Sequence, residues 1–255
     1  MKQIKLIIEY DGTNYQGWQT QRSGLTLQDI ISKTISEITS EKVQLASASR
    51  TDAGVHALGQ VAVFRTNTRL PADTMKRALN AKLPPDIRIL EAEEPDAEFH
   101  PRYDAVKKSY FYLIEKTQKQ SVFLHRYAWG IPVGLDLARM GSAASFLEGE
   151  HDFSAFRGTG CGAKTTVRTV HSITLARYDS IDFMTARMQG DFIKIQVEAN
   201  AFLRHMVRNI VGALTEVGKG KIPPEQVKNI LASCDRKMAG PTAPAKGLFL
   251  EKIFY

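Results

Sequence analysis

Residues 3–38, QIKLIIEYDGTNYQGWQTQRSGLTLQDIISKTISEI, change their apolar period once and so decide the fold. Ile4, Leu6, Ile8 and Tyr10 alternate with Gln3, Lys5 and Glu9 around Ile7, which predicts a half-buried strand. A Gly-rich polar loop follows from Asp11 to Gly24. Leu27, Ile30, Ile31, Ile35 and Ile38 then recur at helical spacing behind Thr26 and Asp29, a capping-box pair. Working outward, short strands are predicted at 43–49 and Val61–Phe64, a helix at 72–82 stopped by Pro84-Pro85, and a strand at 87–92. The order β-α-β-β-α-β is a split-βαβ pattern.

The second part partly echoes it. Strands are predicted at Tyr110–Ile114, at 168–177 and 182–189 around Tyr178-Asp179-Ser180, and through Ile193, Ile195, Val197 and Ala199. Helices are predicted at 136–147, along the stripe Leu203, Met206, Val207, Ile210, Val211 and Leu214, and at 224–232, with a last strand at 247–254. The predicted class is α+β: two related split-βαβ halves, ferredoxin-like or RRM-like, divided at 103/104. Their antiparallel sheets are expected to join side by side, with helices on one face and an active-site cleft between the halves.

Composition narrows the function. The 255 residues carry a net charge of +7. Residues 1–103 hold 13 basic and 13 acidic residues, so residues 104–255 supply the entire excess. That asymmetry points to a polyanionic partner bound mainly by the second half. No apolar run approaches the ~20 residues of a membrane-spanning helix, and Lys5 and Glu9 interrupt the N-terminal apolar stretch, which excludes a signal peptide. Cys161 and Cys234 stand apart and the six histidines lack metal-ligand spacing, so neither a disulfide framework nor a metal site is expected, and a cytoplasmic location fits. The stretch from Gly158 to Thr165 has Ala163 where a phosphate loop needs glycine before Lys164, and is expected to be a flexible basic loop.

The densest chemistry lies in Ser49-Arg50-Thr51-Asp52-Ala53-Gly54-Val55-His56, between two predicted strands. Arg50 is expected to keep Asp52 ionised, and Ala53 and Gly54 leave room for a substrate. The plainer alternative is an Asp-bearing turn. Likewise Tyr110, on one face with Tyr112 and opposite Phe111, suits either a pocket or core packing.

RTDAGVHALGQV at 50–61 resembles the signature of the TruA-type tRNA pseudouridine synthases. EYDGTNYQGWQTQ at 9–21, HDFSAFRG at 151–158, NAFLRHMVRNIVG at 200–212 and AKGLFLEKI at 245–253 resemble further blocks of that family in the same order. The resemblance implies that Asp52 is the catalytic aspartate and that Arg50 displaces the target base. It implies that Tyr110 packs on the uracil, Arg208 pairs with the aspartate and Leu248 helps close the base pocket. It further implies action on uridines at positions 38–40 of the tRNA anticodon stem-loop, by a homodimer without metal or organic cofactor. Arg204 departs from the family pattern, where histidine or tyrosine is common.

The reaction breaks the glycosidic C–N bond, turns the uracil and joins C5 to the sugar. A carboxylate suits the first step by attack on the sugar or by assisting proton removal from it, and Tyr110 or Asp52 suits the removal of the C5 proton. A stacked uracil must flip out, and an aromatic face contributes roughly 1–3 kcal/mol to holding it. Lys107, Lys108, Arg157, Lys164, Arg168, Lys219 and Lys221 are the candidate RNA-backbone contacts. The rivals are a non-catalytic RNA-binding module and a carboxylate-dependent hydrolase, which lacks a second acid at a telling spacing.

Overall fold

The computed structural model describes residues 1–183 and 185–255. They form two compact units, Met1–Val106 with Phe249–Tyr255, and Lys107–Leu248. The sequence places the division at 103/104; the units part at Val106/Lys107, and the last seven residues fold with the first unit.

In the first unit, β1 (Lys2–Tyr10) buries Ile4, Leu6, Ile8 and Tyr10, as its alternation requires. Helix α1 (Leu27–Thr39) starts at Thr26, whose hydroxyl accepts from the Asp29 amide at 3.3 Å and donates to the Asp29 carboxylate at 2.5 Å. The predicted box is therefore closed hydroxyl to carboxylate. α1 buries Leu27, Ile31 and Ile35. Strand β2 is only Ala46–Ser47, shorter than the predicted 43–49, whereas β3 (His56–Thr66) extends well beyond Val61–Phe64. Helix α2 (Ala72–Lys82) and β4 (Ile87–Glu93) match their predicted spans to within a residue. β1 runs antiparallel between β4 and β3, and β2 lies on the outer edge of β3.

In the second unit, β5 (Lys107–Lys116) is flanked by β6 (Trp129–Ile131) in parallel. Helix α3 (Leu137–Ala144) precedes β7 (Gly149–Asp152), β8 (Val167–Phe183) and β9 (Ala186–Ala199). β5, β9, β8 and β7 pair antiparallel in that order. The sequence expects a turn at Tyr178-Asp179-Ser180. Instead β8 continues through it with a register shift between Tyr178 and Ser180, and β9 is one strand where two were predicted. Turn-forming residues here make a bulge, because the exposed ribbon asks nothing of their side chains. The predicted strand 182–189 includes Met184, which lies outside the described residues.

Helix α4 (Met206–Gly218) is buried along most of its length. It starts after Leu203, which the apolar stripe had included, because His205 takes a left-handed conformation with φ 61°. Arg204 therefore precedes the helix, whereas Arg208 lies on it. A Cβ at Gly212 would lie 1.8 Å from the Pro241 carbonyl oxygen, so glycine lets the 241–243 segment rest on α4. Helix α5 (Glu225–Ser233) follows. Strand β10 (Leu248–Phe254) returns the chain to the first unit, where Phe249 and Leu250 lie parallel to His56 and Ala57 of β3.

Candidate active site

The loop from Ser49 to Val55 joins β2 to β3 and is fixed along its length. The Gln60 side chain holds both backbone groups of Ser49: the Ser49 N–H donates to Oε1 at 3.2 Å and Nε2 donates to the Ser49 oxygen at 2.7 Å. The Trp18 N–H donates to the Thr51 oxygen at 3.0 Å, and the Thr51 and Tyr10 hydroxyls share a buried hydrogen bond of 2.7 Å. Further on, the Gly54 N–H reaches the Tyr15 oxygen at 3.3 Å, and the Val55 N–H the Asp52 oxygen at 3.2 Å. Gly54 has φ 77°, a turn that a side chain would strain.

The Asp11–Gly24 loop packs beneath. A Cβ on Gly12 would lie 2.0 Å from the Val55 oxygen, and one on Gly17 would lie 2.7 Å from the Thr51 oxygen. Tyr15 is locked by a very short hydrogen bond to the Asp86 carboxylate. Burial, and then that carboxylate, push its hydroxyl well above the usual tyrosine range. Trp18, 1% exposed, lies 5.9 Å from the Tyr10 ring. Sequence reasoning missed Tyr10, Tyr15, Trp18 and Gln60 as loop supports, although all four stand in the quoted motifs.

On this frame Asp52 is half-buried and Arg50 exposed. Arg50 makes no side-chain hydrogen bond or ion pair among the described residues. The arrangement presents a carboxylate and a guanidinium two residues apart, the first anchored by its backbone and the second projecting into solvent.

The second unit carries Tyr110, Arg208 and Leu248. Tyr110 on β5 is buried, opposite Val197 in register and edge-on to Phe202 at 5.0 Å. Tyr112, on the same face, is fully buried, and its hydroxyl donates to the Pro244 oxygen at 2.7 Å. Burial pushes that hydroxyl up, while the Arg208 charge pulls against it. Arg208, half-buried on α4, donates through Nε to the Ala243 oxygen at 2.8 Å, and the Ala243 N–H returns a bond to the Arg208 oxygen at 3.1 Å. Leu248 is buried just after Gly247, whose missing Cβ lets the chain touch the Tyr112 ring. Arg208, Tyr112 and the 243–248 segment are thus one packed group, with Tyr112 as the member that sequence reasoning left out.

The cationic candidates divide sharply. Lys107 is paired with Glu198 at 2.8 Å, and Lys219 and Lys221 both hold Glu216, at 3.0 and 2.9 Å. Lys108 is buried, so it is not a surface cation. Arg168 is half-buried and bonded to Thr165 at 3.2 Å. Of these candidates only Arg157 and Lys164 are exposed with no side-chain hydrogen bond or close ion pair among the described residues, Arg157 adding its charge to the field at Asp152. Arg157 lines a pocket of about 380 Å³ with Gly158–Cys161, Ser154, Cys234 and Arg236. Among the described residues no His, Cys, Asp and Glu group suits a metal ion, and no helix is long and apolar enough to cross a membrane.

Comparison with known proteins agrees with the motifs. Residues 6–104 and 143–255 match the family model described as tRNA pseudouridine synthase. The chain is 49% identical over 255 residues to tRNA pseudouridine synthase A of Acetivibrio thermocellus, covering all of both chains. It is 46% identical over the same full length to the protein of that name from Thermoanaerobacter sp. (strain X514). With the Geobacter sulfurreducens protein of that name the identity is 42% over 253 residues, 99% of each chain.

Proposed function

The chain belongs to the tRNA pseudouridine synthase family, and from that premise we propose that Asp52 is the carboxylate with which it isomerises uridine to pseudouridine in tRNA. The enzyme is an isomerase of tRNA. Its reaction exchanges a C–N for a C–C glycosidic bond within one nucleotide, with no net redox change and no group passed to another molecule. The protein must therefore supply a group that acts at the sugar, a place where the freed uracil turns, and a base for the C5 proton.

The observation that carries the proposal is the fixation of the Ser49–Val55 loop at Ser49, Thr51 and Gly54, with the Val55 N–H closing on the Asp52 oxygen, around a half-buried Asp52 side chain. A carboxylate held in this way keeps its position as charge develops at the sugar, which is where catalysis gains over solution. Arg50, exposed and without a partner among the described residues, is suited to enter the stem and take the place of the extruded base. The Tyr110 ring supplies a face for the uracil and a candidate base for C5, Leu248 an apolar wall, and Arg208 the positive charge that balances Asp52.

The substrate site we propose is the anticodon stem-loop, at positions 38–40. The first unit acts as the half that carries the Asp52 loop and the second as the basic half that holds RNA, both being split-βαβ variants. The active form is a homodimer in the cytoplasm. To test this, unmodified tRNA is incubated with wild type and with Asp52→Ala, and pseudouridine is mapped by mass spectrometry. Wild type should convert anticodon-stem uridines and the variant none. Product formed by the variant would remove Asp52 from the chemistry, and free uracil from wild type would indicate a hydrolase.

A further inference from the structure

Strand β2 pairs Ala46 with Val63 and Ser47 with Ala62, and the Ala48 N–H continues the ladder to the Val61 oxygen at 2.9 Å. Extending that register makes Gln60 the neighbour of Ser49. At this step the partner becomes a side chain: the Gln60 carboxamide accepts from the Ser49 N–H and donates to the Ser49 oxygen. A carboxamide has the donor and acceptor of a peptide group, so the ladder passes from backbone to side chain at the residue before Arg50. The length of one glutamine then sets where the chain leaves the sheet.

Gln60 is completely buried, and its own backbone is held on the other side by β1, where it faces Ile8. Both amide atoms are engaged by Ser49. The Ser47 hydroxyl adds a longer bond of 3.3 Å to the same Ser49 oxygen. The nearest titratable or charged side chains in chain and register are Glu9 and Tyr10 on β1, Arg50 and Asp52 in the loop, and Glu251 on β10, whose backbone approaches Gly59. None of them bonds to the Gln60 amide among the described residues.

We propose that Gln60 is a positioning residue for the isomerisation: its carboxamide stands in for a strand neighbour at Ser49 and sets the departure of Arg50 and Asp52 from the sheet. This rests on Asp52 being the reacting carboxylate. A small displacement of such a group costs on the order of a hundredfold in rate, without any need to alter substrate affinity.

The test uses Gln60→Glu, Gln60→Met and Gln60→Asn, with kcat and KM for tRNA measured between about pH 6 and about pH 9 beside wild type. A protonated carboxyl keeps both bonds to Ser49, whereas a carboxylate still accepts from the Ser49 N–H but loses the donor and sets its second oxygen against the Ser49 oxygen. Buried in this place, the introduced carboxyl should titrate far above the usual range, up to a pKa of about 8–9. The kcat of Gln60→Glu relative to wild type should therefore be down roughly a hundredfold at the alkaline end and recover to within about threefold at the acid end, with KM unchanged. Gln60→Met keeps the volume but neither bond, and should stay low at every pH.

Near-ultraviolet circular dichroism at each pH verifies that the variants are folded. A Gln60→Glu ratio that does not move with pH while the protein is folded overturns the proposal, as does wild-type kcat in Gln60→Met. If Gln60→Glu unfolds at alkaline pH, Gln60→Asn decides, because it has the same amide with a shorter reach. Lowered kcat at constant KM then supports the role, and wild-type kcat overturns it. Asp52→Asn run in parallel separates the two failures. An active Asp52→Asn enzyme removes the premise, whereas an inactive one beside a fully active Gln60→Met overturns the positioning role alone.

Discussion

Two loops of this enzyme carry arginine and glycine between regular elements, and they are built in opposite ways. Between Ser49 and Val55 three residues, Ser49, Thr51 and Gly54, are bonded to the surrounding fold, Asp52 and Val55 are bonded to each other, and two glycines of a second loop let that fold press close beneath. Between Arg157 and Thr166 the chain is tied at Gly158 to the Arg204 oxygen, at Thr159 to the Arg204 guanidinium, and at Thr166 to Phe153. Residues 160–164 make no hydrogen bond among those described. The contrast follows from the work proposed for each. A carboxylate that acts at one carbon must be held within a fraction of an ångström. A cation that meets a phosphodiester backbone acts through a field extending about 10 Å at 0.1 M salt, and tolerates a loosely tied chain.

The comparison breaks most visibly if the tight loop is loosened. Gly17→Ala places a Cβ 2.7 Å from the Thr51 oxygen, at a backbone φ of 90° that alanine resists. The expected result is a fall in kcat of roughly a hundredfold with KM for tRNA within about threefold. Steady-state kinetics on a folded sample reads this directly.

Next comes the frame under the sparse loop. Buried Asn209 donates to the Phe156 oxygen at 2.7 Å and accepts from Arg236 at 3.0 Å and Thr242 at 2.6 Å. Asn209→Ala strips the Phe156 oxygen of its donor and the Thr242 hydroxyl of its acceptor, while Arg236 keeps its bonds to Thr242 and Gly240, and should cost about 2 kcal/mol. Tm should fall by about 4–8 °C in a thermal melt. The support below this loop is then shown to be firm even though the loop itself is not.

A smaller effect is expected from the sparse loop's own charge. Arg157→Ala should raise the Kd for tRNA about fivefold at 0.1 M salt and reduce the slope of log affinity against log salt by about 0.7–0.9, the share of one phosphate contact. Its kcat at saturating tRNA should not move. A loss in kcat would assign this loop to the chemistry and dissolve the contrast.

The smallest concerns Glu115 on β5, buried with Oε2 unpartnered. Burial raises its carboxyl above the usual range, opposed by a hydrogen bond from Gln120 and the charge of Lys246. Because the folded value is raised, stability from this group is fully present below the ordinary carboxylate range and is lost as pH rises through the raised value. Glu115→Gln should therefore raise Tm by about 2 °C at neutral pH. The gain should shrink toward zero near pH 4.

Much of this design is legible in the sequence, and the exceptions have physical causes. Alternation and helical spacing fix β1, α1, α2, β4 and α5 because each buries one regular face. The Arg50–Asp52 loop is legible as a polar run between two strands. The contraction of β2 is not, since nothing in residues 43–49 announces that a glutamine eleven residues beyond Ser49 will replace the backbone partner. Nor are the ion pairs of Lys107 with Glu198, or the burial of Lys108, because they arise from strands far apart in the chain. The bulge at Tyr178–Ser180 shows the converse, as turn-forming residues do not make a turn where the pairing of β8 with β9 continues past them.

The most direct measurement follows the hydrogen at C5, which isomerisation must release to solvent. Transcribed tRNA tritiated at uridine C5 is mixed with an excess of wild type or Asp52→Asn, after tRNA affinity is shown to be the same for both. Wild type should release the label from its target uridines, and Asp52→Asn should do so at least about a thousandfold more slowly. Release by Asp52→Asn at a rate near that of wild type would contradict the central claim that Asp52 is the carboxylate on which the reaction depends.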